Sequence, residues 1–367
     1  MAEETTSEAS KPAEKIPETT HINTQDTGVA VYGSVRVATT VSADAVSDDE
    51  EDRRSGDNDS QEGPDADFLE GYPDDTEELD LIHLRIKTLE VLNLPRFAAH
   101  LRQLCLRQNE ITHLDPESLS PLTQLEELDL YDNKLKHIDN ALDNLQKLGV
   151  LDLSFNIFKS IPECINRLAA LHTVYFVQNR ISTITHLELT TRLRSLELGG
   201  NRIRKIENLD TLVNLEELWL GKNKITRLEN LGSLKKLRIL SIQSNRITVL
   251  EGLEELVDLQ ELYVSDNGIK RIDGLQNNLN LTTLDVGSNF IEKIENVSHL
   301  QQLEELWMSG NKIPDLGDLE PELGKISNLQ TIYLEHNPCQ TADPTGYRRK
   351  IMLALPQLTQ IDATFTR

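Results

Sequence analysis

The chain has few aromatic residues, 4% of 367, and three cysteines, Cys105, Cys164 and Cys339. Thiols so few and so scattered exclude a disulfide scaffold and a cysteine-built zinc site. The opening Met-Ala-Glu-Glu-Thr-Thr-Ser-Glu has no basic stretch leading into an apolar one, which predicts no secretory signal. No uninterrupted apolar run reaches about 18 residues, so no membrane-spanning helix is expected. Positive charge is also short: 37 Lys and Arg face 61 Asp and Glu, a formal net charge of −24. Such a chain repels nucleic-acid phosphates and anionic lipid, so neither nucleic acid nor membrane is expected as a partner. These absences predict a soluble intracellular protein.

The acidity is uneven. Residues 1–78 hold 22 acidic and 5 basic side chains, whereas 79–367 hold 39 and 32. The first segment is poor in large apolar residues and contains Ser47-Asp-Asp-Glu-Glu-Asp52. It cannot bury enough surface to offset chain entropy, and 1–78 is predicted to be a disordered acidic tail. A solubilising role fits that composition, and Ser47 before an acidic run also suits an acidophilic kinase.

Beyond residue 78 one pattern dominates. Asparagines fall at 109, 133, 156, 179, 201, 223, 245, 267, 289, 311 and 337, mostly 22 residues apart. Each closes a Leu-x-x-Leu-x-Leu-x-x-Asn string, as in Leu215-Glu-Glu-Leu-Trp-Leu-Gly-Lys-Asn223. This is the leucine-rich-repeat signature. Leu79-Asp-Leu-Ile-His-Leu-Arg-Ile86 reads as a degenerate opening copy. The alternation in Leu218-Trp219-Leu220 predicts a short strand with both leucines inward and Trp219 outward. The asparagine turns the chain and can satisfy backbone groups inside the turn. Apolar residues then recur every third position, as at Ile203, Ile206, Leu209, Leu212 and Leu215, which suits a 3₁₀-like return. The predicted fold is an α/β solenoid, a leucine-rich-repeat horseshoe. It has a parallel β-sheet on the concave face and short helical or 3₁₀ turns on the convex face. Residues 79–337 would form about 12 repeats. Residues 338–367 would form the C-terminal cap, with a helix over Tyr347–Leu355 ended by Pro356, and Leu358 and Ile361 folded back. Arg348, Arg349 and Lys350 read as a solvated outer face of that cap.

Catalytic motifs are missing: no phosphate loop, no nucleophile elbow, no His-Glu-x-x-His, and nine histidines without metal spacing. No enzyme activity, cofactor or metal is expected. The chemistry instead collects on the outward strand positions. Their central column runs Cys105, Asp129, Asp152, Tyr175, Glu197, Trp219, Ser241, Tyr263, Asp285, Trp307, Tyr333. Both tryptophans of the chain stand in it. Glu127, Glu217, Glu261 and Glu305 lie in the column before, and Tyr131 and Glu335 in the column after. Nine acids face one base, Arg107. Cross-strand pairing favours aromatics on any sheet. Acids and aromatics sharing one solvent-facing surface point further, to a protein-binding face for a basic or polar partner.

At the level of whole strings the chain resembles the leucine-rich-repeat regulatory subunits of the type-1 protein phosphatase. The strings are Leu104-Cys-Leu-Arg-Gln-Asn109, Leu128-Asp-Leu-Tyr-Asp-Asn133, Asn201-Arg-Ile-Arg-Lys-Ile-Glu-Asn208, Gly221-Lys-Asn-Lys-Ile-Thr226 and Tyr347-Arg-Arg-Lys-Ile-Met-Leu-Ala-Leu-Pro356 through Ile361-Asp-Ala-Thr-Phe365. The resemblance covers about 79–367. It implies a non-catalytic subunit of nucleus and cytoplasm, linked to mitosis, that grips the phosphatase catalytic subunit and inhibits or redirects it. A third, inhibitor protein in the same complex is part of what it implies. The family's phosphatase contacts fall on Asp152, Tyr175, Glu197, Trp219, Asp285, Glu305, Trp307 and Tyr333, with Phe often standing in the family where this chain has Tyr175 and Trp219. No short basic-Val/Ile-x-Phe/Trp docking motif is present, which suits docking by the solenoid face. The repeat alone also fits a scaffold of another assembly, spliceosomal, ciliary or tubulin-folding.

Overall fold

The computed structural model describes residues 69–366. Ser47 and most of the acidic segment lie outside them. Twelve three-residue strands follow one another: β1 Glu78–Asp80, β2 Gln103–Cys105, β3 Glu127–Asp129, β4 Val150–Asp152, β5 Thr173–Tyr175, β6 Ser195–Glu197, β7 Glu217–Trp219, β8 Ile239–Ser241, β9 Glu261–Tyr263, β10 Thr283–Asp285, β11 Glu305–Trp307 and β12 Thr331–Tyr333. Each pairs in parallel with the next, and β13 Gln360–Ile361 extends the sheet before β14 Thr364–Phe365 turns back antiparallel. The central residue of every repeat strand is buried and its neighbours face outward, so each strand gives one side chain to the core and two to the open face.

The return segments follow the period of three. In the repeat leading to β7, Leu212 N–H donates to Leu209 O at 3.0 Å and Leu215 N–H to Leu212 O at 2.9 Å, successive three-residue turns that keep Leu209, Leu212 and Leu215 fully buried. The repeat ending in β7 buries Ile203, Ile206, Leu209, Leu212, Leu215, Leu218 and Leu220, each contributing roughly 1.5–3 kcal/mol, but only when its neighbours cover them.

The asparagines form a ladder through the core. Asn223 Nδ2 donates to Leu198 O of the preceding repeat at 2.9 Å and to Leu220 O at 3.0 Å, and its Oδ1 accepts from Ile203 N at 2.9 Å. One side chain therefore satisfies backbone groups of two repeats. The residue before each asparagine is left-handed: Gln108, Asp132, Phe155, Gln178, Lys222, Ser244, Asp266, Ser288 and His336 at φ 50–61°, and Gly200 and Gly310 at 69° and 70°. For a non-glycine residue that conformation costs about 1–2 kcal/mol, which the ladder offsets.

Both ends differ from the sequence reading in detail. Residues 69–78, assigned there to the tail, belong to the folded array. Leu69 is fully buried, Glu78 opens β1, and Arg96 donates to Leu69 O and, at 2.7 Å, to Tyr72 O. A lone leucine among acids gives no periodic signal, and the arginine that fixes it lies a repeat away. At the other end the cap helix runs Tyr347–Ala354, and Leu358 and Ile361 are buried as expected. Arg348 is not simply solvated. Its guanidinium donates to Ile361 O at 2.9 Å, Thr364 O at 3.1 Å and Phe365 O at 2.7 Å, tying down the hairpin that covers the last repeat's edge.

Candidate protein-binding face

The sheet register places the outward column in one row. Asp129 pairs with Asp152, then Tyr175, Glu197, Trp219, Ser241, Tyr263, Asp285, Trp307 and Tyr333, strand by strand without slippage. Neighbouring strands are about 4.8 Å apart, so adjacent members of the row touch. All eight residues singled out from the sequence lie on this face, in two groups separated by Ser241 and Tyr263.

In the first group, Asp152, Tyr175, Glu197 and Trp219 are consecutive. Burial, followed by repulsion from Asp152 and Glu217, pushes the Glu197 carboxyl up to about 7. Burial also raises Asp152, although Ser154 N donates to its Oδ1 at 2.8 Å. Within the described residues the Glu197 carboxyl has neither a hydrogen bond nor a cation beside it. The face is therefore less negative at neutral pH than its formal count of carboxylates, and Glu197 becomes fully charged once a base approaches.

The second group is built around Trp307. Its ring lies 6.1 Å from Tyr263 and 5.8 Å from Tyr333 by centroids, and its Nε1–H donates to Glu305 Oε2 at 3.0 Å. Tyr263 Oη donates to Glu261 Oε2 at 2.7 Å. Tyr263 and Trp307 stand two strands apart and close over the strand between them. Asp285 is consequently 6% exposed rather than open, with Ser265 Oγ at 2.6 Å and Gly287 N at 3.0 Å as donors. Burial raises the Asp285 carboxyl, yet both of its oxygens are already engaged. Asp285 thus supports the aromatic platform from beneath and offers little surface itself. Tyr263, 3% exposed, and Glu261 join this group without having been singled out. Their place in the outward columns was the available signal.

Toward the other end Arg107 pairs with Asp129 at 3.0 Å and stacks 4.2 Å over the Tyr131 ring, which lies 4.7 Å from Phe155. Phe155 was invisible to the column reading because it occupies the left-handed site before Asn156. This end of the face is paired with itself. The two groups further along combine carboxylates with π faces, a chemistry that receives guanidinium or ammonium groups.

Models described as leucine-rich repeats match residues 99–158, 191–233, 235–277 and 257–366, more than half the chain together. The chain belongs to the leucine-rich-repeat proteins. A solved leucine-rich-repeat protein of Leptospira interrogans superposes with a TM-score of 0.63 at 26% identity, covering 76% of this chain and 81% of that one. Among curated homologues, protein phosphatase 1 regulatory subunit SDS22 of Saccharomyces cerevisiae is 48% identical over 102 residues, 28% of this chain and 30% of the relative. Human protein phosphatase 1 regulatory subunit 7 is 61% identical over 46 residues, 12% of each chain. The matched stretches thus span less than a third of these relatives.

Proposed function

We propose that this leucine-rich-repeat chain is a non-catalytic regulatory subunit that binds the catalytic subunit of type-1 protein phosphatase through the open face of its sheet. The homologues' names supply the partner. The observation that carries the choice of face is the row from Asp152 to Tyr333, where aromatic anchors are interspersed with carboxylates and Glu197 has no partner among the described residues. Asp152, Glu197 and Glu305 receive basic side chains, Tyr175, Trp219, Trp307 and Tyr333 supply the contact area, and Asp285 holds the platform. An aromatic in a desolvated interface centre typically contributes ~2 kcal/mol or more. Binding through such a face would inhibit or redirect the phosphatase, in nucleus and cytoplasm.

The test is co-purification with the phosphatase catalytic subunit from cells expressing wild type, Trp307→Ala or Glu305→Lys. Both variants are expected to lose the catalytic subunit while their thermal melts stay near wild type. Undiminished capture by both would contradict the choice of face, and enrichment of another assembly with no phosphatase would contradict the choice of partner.

A further inference from the structure

Backbone pairing lines up a second row of side chains, at the N-terminal rim of β5–β7. Arg194 N–H donates to His172 O at 2.8 Å and Glu216 N–H to Arg194 O at 2.8 Å, so His172, Arg194 and Glu216 stand side by side just before their strands. Together with Arg192, Asn214 and Lys236 they line an open cavity of about 520 Å³. This rim lies beside the aromatic row, not within it.

The cavity is built in detail. Asn214 Nδ2 donates to Thr191 O at 2.8 Å, and its Oδ1 accepts from Lys236 Nζ at 2.7 Å, which fixes the ammonium of one repeat against the loop of another. His172 lies over the bare backbone of Gly149, where a Cβ would sit 2.7 Å from its Nε2, and its Nδ1 is 3.0 Å from Thr173 Oγ1. Arg192 and Arg194 are exposed, and neither guanidinium has a hydrogen bond or ion pair among the described residues. Glu216 is the only carboxylate in the lining, which leaves the cavity at +2 with His172 neutral, in a chain of formal charge −24.

We infer that this rim cavity is a docking site for a phosphorylated serine or threonine side chain of a partner protein. Two guanidiniums without a partner among the described residues offer planar, paired N–H donors, and an anchored ammonium adds a third contact, while His172, its Nδ1 at Thr173 and its Nε2 against Gly149, forms a wall of the cavity. A phosphate monoester carries about −1.5 to −2 charges and three acceptor oxygens, which matches a +2 cavity with several separate donors. A single carboxylate would occupy one guanidinium and leave the others bare. Clustered arginines are the general means by which proteins read phosphorylated segments. The inference stands independently of what binds the open face.

The probe is a fluorescein-labelled heptapeptide with one phosphoserine between glycine and alanine flanks, with its unphosphorylated and Ser→Glu counterparts, titrated with the full chain by anisotropy. The phosphopeptide is expected to bind at least tenfold tighter than either counterpart and to be displaced by inorganic phosphate. Arg192→Ala with Arg194→Ala is expected to weaken it at least tenfold. Glu216→Gln is expected to tighten it several-fold, a gain that misfolding cannot produce. Trp307→Ala is expected to leave it unchanged. Equal affinity for the phosphorylated and Glu peptides, indifference to the double arginine variant, or preference for anionic vesicles over the phosphopeptide would overturn the assignment.

Discussion

Trp307 donates its indole N–H to Glu305 Oε2 at 3.0 Å, two residues back on the same strand. The bond turns the carboxylate toward the aromatic cluster and leaves its remaining lone pairs for a partner. Trp307→Phe retains a ring between Tyr263 and Tyr333 but removes that donor. The bond is already present in the free protein, so its loss costs binding only through the lost orientation of Glu305, and the phenylalanine variant is expected to bind the phosphatase catalytic subunit more weakly than wild type but more tightly than Trp307→Ala. Calorimetric titration of both proteins checks this.

Glu197 gives the fold a pH dependence of defined sign. Its carboxyl stands at about 7 when folded against 4.5 for an ordinary glutamate. Between those values the folded state holds a proton that the unfolded state has released. Stability therefore falls as pH rises from about 4.5 to 7, and the penalty is complete above that window. Glu197→Gln is expected to melt at a higher temperature than wild type at pH 8 and at nearly the same temperature at pH 4. The same group predicts release of about half a proton when a basic partner docks at pH 7, visible as a binding enthalpy that changes with the buffer's ionisation enthalpy.

The asparagine ladder predicts a graded stability loss. Asn223 is 8% exposed, whereas Asn245, with equivalent bonds to Leu220 O, Ile242 O and Ile225 N, is half-buried. Each buried backbone group left unpaired costs ~1–3 kcal/mol, less where water can reach it. Asn223→Ala is expected to lower unfolding stability by more than Asn245→Ala, measured by urea denaturation.

On the convex side Asn208, Asn230 and Asn296 are left-handed, and each donates to a carbonyl 24 residues earlier at 2.7–2.8 Å. Gly252 occupies the corresponding site at φ +71°, where a Cβ would lie 2.6 Å from Leu228 O. Gly252→Ala is expected to cost ~1–2 kcal/mol from conformation alone, since alanine gains nothing there. Gly252→Asn is expected to cost less, because its amide can donate to Leu228 O. Thermal melts of the two variants separate these outcomes.

The repeat, its strands and the outward row were legible in the sequence because each depends on a short period that recurs with every turn. Leu218 and Leu220 face in and Trp219 faces out by alternation alone. What stayed hidden depends on contacts between repeats. Asp285 is buried because Tyr263 and Trp307 lean together above it, and no spacing encodes that lean. Glu197 holds its proton near neutrality because Asp152 and Glu217 crowd it from neighbouring strands. Leu69 is buried in the core with its carbonyl held by Arg96 from a repeat away, and Arg348 became a clamp only once the chain after Pro356 had folded back.

Whether the aromatic and acidic row grips the phosphatase is decided by the affinity of the full chain for the isolated type-1 catalytic subunit. Titrations of wild type and Trp307→Ala, with thermal melts of both, are expected to give measurable binding for wild type. For the variant a loss of at least thirtyfold is expected, the ~2 kcal/mol of a central anchor, with little change in melting temperature. Equal affinities for two equally folded proteins would contradict that grip.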